Sequence, residues 1–235
     1  MITSQTHQYV QTLRLYLVDM CRLSQRCVDY AIKAFQLRRP EMYVSARDNP
    51  NEVETLHHDA MELARDLLRM ELSCESDLRF VVASMRICHA LYRLSKSARQ
   101  IVENGARLIH ADAQLNCGEL SKMGDLASRI LRLSIDALLE EELELAVSAL
   151  RIDEIDRLFP MAFYAWYTGS DLPIGPKTSF ALSIMQGLMQ IARQAHEIAD
   201  AVVFWLSDTA DVSCPRQSSV RGVERLTTPL EHFPF

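Results

Sequence analysis

The chain has 235 residues, 49% of them hydrophobic and 24% charged, an ordinary globular composition that excludes a wholly disordered protein. Its 31 acidic and 25 basic side chains leave a net charge of −6, so nothing draws it as a whole to phosphate backbones or anionic lipid, and a nucleic-acid binder is not expected. Only 7 Gly and 8 Pro are present, below the usual shares of ~7% and ~5%, so long elements with few tight turns are expected. That disfavours sandwiches, barrels and doubly wound α/β folds. The six cysteines (Cys21, Cys27, Cys74, Cys88, Cys117, Cys214) form no Cys-x-x-Cys pair, which argues against a structural zinc site. The N-terminus MITSQTHQYV has no basic or apolar signal region, and no apolar run approaches the ~20 residues of a membrane span. The expectation is a cytoplasmic protein with reduced thiols and no direct membrane insertion.

The first predicted helix carries Tyr9, Leu13, Tyr16, Met20, Leu23, Cys27, Tyr30 and Ala34, at spacings alternating four and three. Thr3 or Ser4 suits its start and Pro40 its end. The second carries Val53, Leu56, Ala60, Leu63, Leu67 and Met70, with Pro50 as a kink point if the helix opens near Pro40. The third, from about Asp77 to His110, carries Ile87, Leu91, Leu94, Ala98, Ile101, Gly105 and Leu108, and Ala111 to Gly118 reads as a linker. The fourth has Met123, Leu126, Ile130, Leu133 and Ala137; the fifth runs from Leu143 through Leu158 and an aromatic patch to Trp166. Gly169 to Pro176 is a break. The sixth carries Phe180, Ile184, Gly187, Ile191, Ile198, Val202 and Trp205.

The pattern repeats. Val44-Ser45-Ala46 returns as Val147-Ser148-Ala149, Val53-Glu54-x-Leu56 as Ile155-Asp156-x-Leu158, and Ala98-x-x-Ile101-Val102-Glu103 as Ala195-x-x-Ile198-Ala199-Asp200. The offsets stay near 100 residues. Three one-faced helices can close a small core. The predicted fold is therefore all-α: two tandem three-helix bundles, residues 1–112 and 113–208, six long helices in all. The remaining 209–235, with three prolines and few apolar residues, reads as a flexible tail.

The third helix opens Glu75-Ser76-Asp77-Leu78-Arg79 and continues through Tyr92-Arg93-Leu94-Ser95-Lys96-Ser97-Ala98-Arg99-Gln100-Ile101-Val102-Glu103. Its second copy is Met189-Gln190-Ile191-Ala192-Arg193-Gln194-Ala195-His196-Glu197-Ile198-Ala199-Asp200. These segments resemble the PhoU family of phosphate-transport regulators, whose corresponding helices open A-x-D-L-R and continue E-R-I-G-D-x-A-x-x-I-A-E. The resemblance covers roughly Ser4 to Ser207 and implies tandem three-helix bundles. In the family, the Glu and Asp of E-x-x-x-D lie one turn apart, a spacing that bridges hard metal ions, and the resemblance implies metal clusters there. This chain departs at all four positions: Tyr92 and Lys96 in the first copy, Met189 and Arg193 in the second. No cofactor is therefore expected, although divalent metal belongs to the family. Lys96 and Arg193 are expected to be solvated or paired surface cations, with an anion site as the alternative.

Glu54, His57, His58 and Glu62 contain an E-x-x-H and an i, i+4 acidic stripe, a weak alternative metal site against the plainer reading of a hydrated face. His89 is expected inside, hydrogen-bonded, and Cys27 and Cys88 as small buried hydrophobes. Phe159, Phe163, Tyr164, Trp166 and Tyr167 are expected to pack in the core. Asp77 suits a helix start, and Asp77, Arg79 and Arg93 are candidates for a partner-docking surface. No sequence context supports nucleophilic catalysis or a phosphate-cradling loop.

By resemblance, the chain is expected to be a non-enzymatic, negatively acting regulator of phosphate uptake and phosphate-starvation signalling. It would be a homodimer linking the ATPase subunit of the phosphate ABC transporter to a sensor histidine kinase. The alternatives are a di-metal carboxylate bundle for metal storage or redox, and a helical scaffold unrelated to phosphate.

Overall fold

The protein is described by a computed structural model covering residues 2–37, 41–70, 72, 74–110, 118–169 and 176–207. Every regular element among the described residues is α-helical. The helices are α1 (Ile2–Leu37), α2 (Glu41–Arg69), α3 (Glu75–His110), α4 (Gly118–Glu140), α5 (Leu143–Leu150), α6 (Glu154–Gly169) and α7 (Pro176–Leu206). No helix among them is long and apolar enough to cross a membrane. The predicted tail at 209–235, the boundary at 112/113, Cys117 and Cys214, and the side chains of Trp166 and Tyr167 lie outside the described residues.

α1, α2 and α3 pack on one another as the first bundle; α4, α5, α6 and α7 form the second. The predicted fifth helix is divided in two. The step from Leu150 to Ile155 is five residues, which breaks the 3.6-residue period. The chain turns at Arg151 and Ile152, and Asp153 precedes Glu154, the acid-rich start of α6. At the start of α1 the helix already includes Thr3 and Ser4, the residues expected to cap it. α7 begins on Pro176, whose fixed φ and missing N–H suit a first helical position.

The two bundles share one apolar core. Its largest fully buried side chains include Leu13, Met20 and Leu67 together with Leu91, Ile101, Ile130 and Ile155. Each such side chain contributes about 1.5–3 kcal/mol by leaving water. In α1 the expected stripe is half right. Leu13, Met20, Cys27 and Ala34 are buried, but Tyr9, Tyr16, Leu23 and Tyr30 lie at its margin, and the centre of the face passes through Leu17, Ser24 and Ala31. Ser24, Ser84 and Ser134 sit in the core because their hydroxyls donate to the carbonyls of Leu91, Phe80 and Ile130. Burial pushes the Cys27 thiol up to about 11 and the Cys88 thiol up to about 12, so both behave as small apolar groups.

The bundles meet chiefly where α3 packs against α7. The two run antiparallel: Arg79 lies over the ring of Phe204, Arg93 pairs with Glu197, Ile101 faces Gly187, and Arg107 lies over Phe180. Gly187 is required by contact, because a Cβ there would stand 2.7 Å from Cγ1 of Ile101. The first helices of the two halves also meet antiparallel. Gln36 donates to Ser121 and Asp125, and Arg14 pairs with Glu141. The Arg14 guanidinium lies 4.3 Å over the Phe80 ring and 5.2 Å from the Trp205 ring centre, so α1, α3, α7 and the end of α4 converge on one cation. Glu141 ends α4 in the left-handed region (φ 53°), and the following N–H of Glu142 closes on the Ala137 carbonyl at 3.0 Å.

Candidate functional site: a repeated cross-helix ion pair

Lys96 lies on α3 opposite Glu54 on α2. Its Nζ donates to Glu54 Oε2 at 2.9 Å, while the Tyr92 hydroxyl donates to Oε1 at 3.2 Å. Both carboxylate oxygens are thereby engaged. The Lys96 hydrogen bond holds the Glu54 carboxyl below its ordinary range, and the same bond raises the Lys96 ammonium. Lys96 Nζ also stands 4.9 Å from the Tyr92 ring centre. The other face of the cluster is aromatic: His57 stacks on Tyr92 with centroids 4.7 Å apart and planes 18° from parallel. Burial pushes the His57 imidazole down, toward its neutral form.

The second half repeats the ion pair. Arg193 on α7 donates from Nη2 to Asp156 Oδ1 on α6 at 3.3 Å. Glu54 and Asp156 occupy the same place in the repeated V-E-x-L and I-D-x-L segments; Lys96 and Arg193 precede the repeated Ala by two residues. The second copy lacks the tyrosine, having Met189 instead. The expected ion pairing of Lys96 and Arg193 is thus present in both halves. Of the acids that answer them, Asp156 served in the sequence as a marker of duplication, and Glu54 as such a marker and as a member of the weak alternative metal set. Their equivalent positions opposite equivalent cations were the available signal.

The weak alternative metal set does not converge. Glu54 and His57 face α3, where Lys96 and Tyr92 engage them, whereas His58 pairs outward with Glu62 at 3.5 Å. Among the described residues no three His, Cys, Asp or Glu side chains come together as a metal-binding group. His89 is exposed, not interior as expected: its ring lies 6.0 Å from that of His57 at the rim of α2 and α3. Of the aromatic patch, Phe159 and Phe163 pack against the core, but Tyr164 is 70% exposed because it lies on the outward face of α6. Asp77 stands in the first turn of α3, where its charge suits the helix N-terminus. Arg79 and Arg93 both reach α7, and Arg93 meets Glu197 at 3.9 Å, so these two candidates help join the bundles.

Residues 17–105 match the PhoU domain family. A curated relative, the phosphate-specific transport system accessory protein PhoU homolog of Zymomonas mobilis, is 24% identical over 82% of each chain. Residues 17–105 are a PhoU domain, and the chain as a whole is similar to PhoU proteins. Its fold matches the crystal structure of PhoU from Pseudomonas aeruginosa with a TM-score of 0.79 at 18% identity, covering 86% of this chain and 99% of that one. The phosphate transport system regulatory protein PhoU from Streptococcus pneumoniae matches with a TM-score of 0.71 at 20% identity, over 87% and 96% of the two chains.

The residues at the PhoU ligand positions do not fit a metal cluster. An ammonium and a guanidinium have no lone pair to give, a thioether is a soft ligand, and the Tyr92 hydroxyl already donates to Glu54. The carboxylates of Glu54 and Asp156 that lie opposite these positions each face a cation.

A concavity lies between α1 and α4, a groove of about 400 Å³ lined by Asp29, Lys33, Arg129, Arg132 and Asp136 among others. Burial raises the carboxyls of Asp29 and Asp136 above their ordinary value, and the charge of Arg132 acts against that rise in both.

Proposed function

We propose that this chain regulates phosphate transport as a helical adaptor and carries out no catalysis. The observation that carries the reading is the match to the Zymomonas accessory protein across 82% of both chains, supported by the family match and the shared fold. In this reading the chain is cytoplasmic, dimerises, and contacts the ATPase subunit of the phosphate ABC transporter and a sensor histidine kinase. It holds phosphate-starvation genes down when phosphate is plentiful. Docking of this kind depends on a few apolar anchors within a charged rim. Leu15 on α1 and Met161 and Tyr164 on α6, each more than 60% exposed, are anchors of that type. The long helical faces suit helix-in-groove contacts.

Deleting the gene tests the regulatory claim: phosphatase expression should rise at high phosphate, and unchanged expression would refute it. Capture with the full chain from phosphate-replete cells tests the partners. Recovery of the transporter ATPase and a histidine kinase supports the adaptor; recovery of neither overturns it.

A further inference from the structure

We infer that the two former ligand sites of this chain are metal-independent clamps, in which a fixed side-chain cation takes the place of the divalent ion between the second and third helical segments of each half. The inference rests on the geometry of the two ion pairs and not on the phosphate reading. Three observations carry it.

The first is chemical balance. A divalent ion joins helices by drawing carboxylates from both of them. Here the third-helix contribution has changed sign, to Lys96 in one half and Arg193 in the other, while an acid remains on the preceding segment, Glu54 or Asp156. A helix-to-helix attraction survives in each half, now between oppositely charged side chains. The second is occupation. In the first half Lys96 and Tyr92 each hold one oxygen of Glu54, so an incoming ion would share that carboxylate with a fixed ammonium that repels it. Hard divalent ions need six or more oxygen ligands or several retained waters, and one carboxylate beside a cation gives a weak site. The third is repetition. The same exchange, anion to cation, occurs on α3 and on α7, and in each half the new cation faces an acid at the equivalent position of α2 or α6. An isolated loss of one ligand would leave no such matched pair.

Metal content of the intact chain is the first test. The protein, incubated with Mn²⁺, Mg²⁺, Zn²⁺ or Fe²⁺ and then desalted, is expected to retain well under one ion per chain, with a Tm that neither these ions nor EDTA moves. Stoichiometric retention of any of them overturns the inference. The second test restores the family pattern in the first half with Tyr92→Glu and Lys96→Asp together, which sets two carboxylates beside Glu54. This variant is expected to retain about one Mn²⁺ per chain and to gain thermal stability on adding it. If it folds by circular dichroism yet stays metal-free, these positions are not what excludes the ion, and the inference fails. The third test reads the clamp itself. Glu54→Lys and Lys96→Glu should each lower the Tm, and the two together should recover most of the loss. A double variant no more stable than the singles shows that the pair does not tie α2 to α3.

Discussion

The two halves hold the same ion pair at the same repeat positions, yet they build it with unequal support. In the first, Glu54 is gripped at both oxygens and backed by the stacked rings of Tyr92 and His57, on a second helix of 29 residues. In the second, Asp156 meets Arg193 with no further donor among the described residues, and its helical segment is broken at Arg151 to Asp153 into α5 and α6, with Pro160 inside α6. Both halves keep a buried face and set a cation opposite an acid, because both features govern how helices pair. The reinforcement around the pair diverged, because aromatic stacking and helix continuity can be lost from one copy without unmaking the bundle.

The largest expected effects test whether the halves share one core or only touch. Leu94 and Ile191 are repeat equivalents, and both are fully buried. Leu94→Ala and Ile191→Ala should each lower stability by about 2–5 kcal/mol through lost transfer energy and the cavity left behind. Because the apolar cluster is continuous, calorimetry should show a single transition shifted down in both variants. Two separate transitions, with only one moved by each substitution, would show that the halves unfold independently.

Next comes the seam between them. Gly187→Leu drives a side chain into Ile101 and should cost about 1–3 kcal/mol from overpacking, read as a lowered midpoint in denaturant. Gly118→Ala, at a position with no neighbouring atom within 4 Å, is the control and should leave the midpoint nearly unchanged.

The seam also shows what could be read in the sequence. The heptad stripes located α2 and α3 and the buried run of α7, since Val53, Ala60, Leu67, Ile87, Leu91 and Ile198 all lie inside. In the pattern Gly187 is one more apolar position, and its reason, the close approach of a helix from the other half, is a tertiary fact. Periodicity also missed Ser24 and Ser134, because a hydroxyl that bonds to a carbonyl counts as apolar in a core and polar in a pattern. The break at Arg151 was legible in the five-residue step, but the strong apolar content on either side concealed it. At the site, the four substituted ligand positions were visible by resemblance. The acids opposite them were not, because nothing in one helix states which residue of another it will face.

Smaller effects follow at the ion pairs. Lys96→Met should lower the Tm by more than Arg193→Met does, by about 1–3 °C against a shift near zero, because among the described residues the first pair alone has a second donor and a stacked ring. The pairs are exposed, so about 1 M NaCl, where the screening length is ~3 Å, should remove the difference. Equal losses at low salt would mean that Tyr92 and His57 add nothing to the first pair.

The smallest effect expected is a gain, and it lies where α1 of one half meets α4 of the other. Asp29 and Asp136 are held by burial above their ordinary value, so the folded chain binds their protons more tightly than the unfolded chain does. With folded values raised, stability is reduced at pH above them, where both states are ionised and only the folded one has lost hydration. That deficit is relieved as pH falls through the folded values. Asp29→Asn removes the charge and keeps the shape, so it should raise the Tm slightly near neutral pH. The gain should shrink toward about pH 4.5, just above the ordinary Asp value of ~3.9. Arg132→Met should act the other way, since its charge partly offsets the burial of both acids. If Asp29→Asn instead lowers the Tm at neutral pH, attraction to Lys33 and Arg132 outweighs the lost hydration, and this junction is held by charge in the same manner as the clamps on the outer faces.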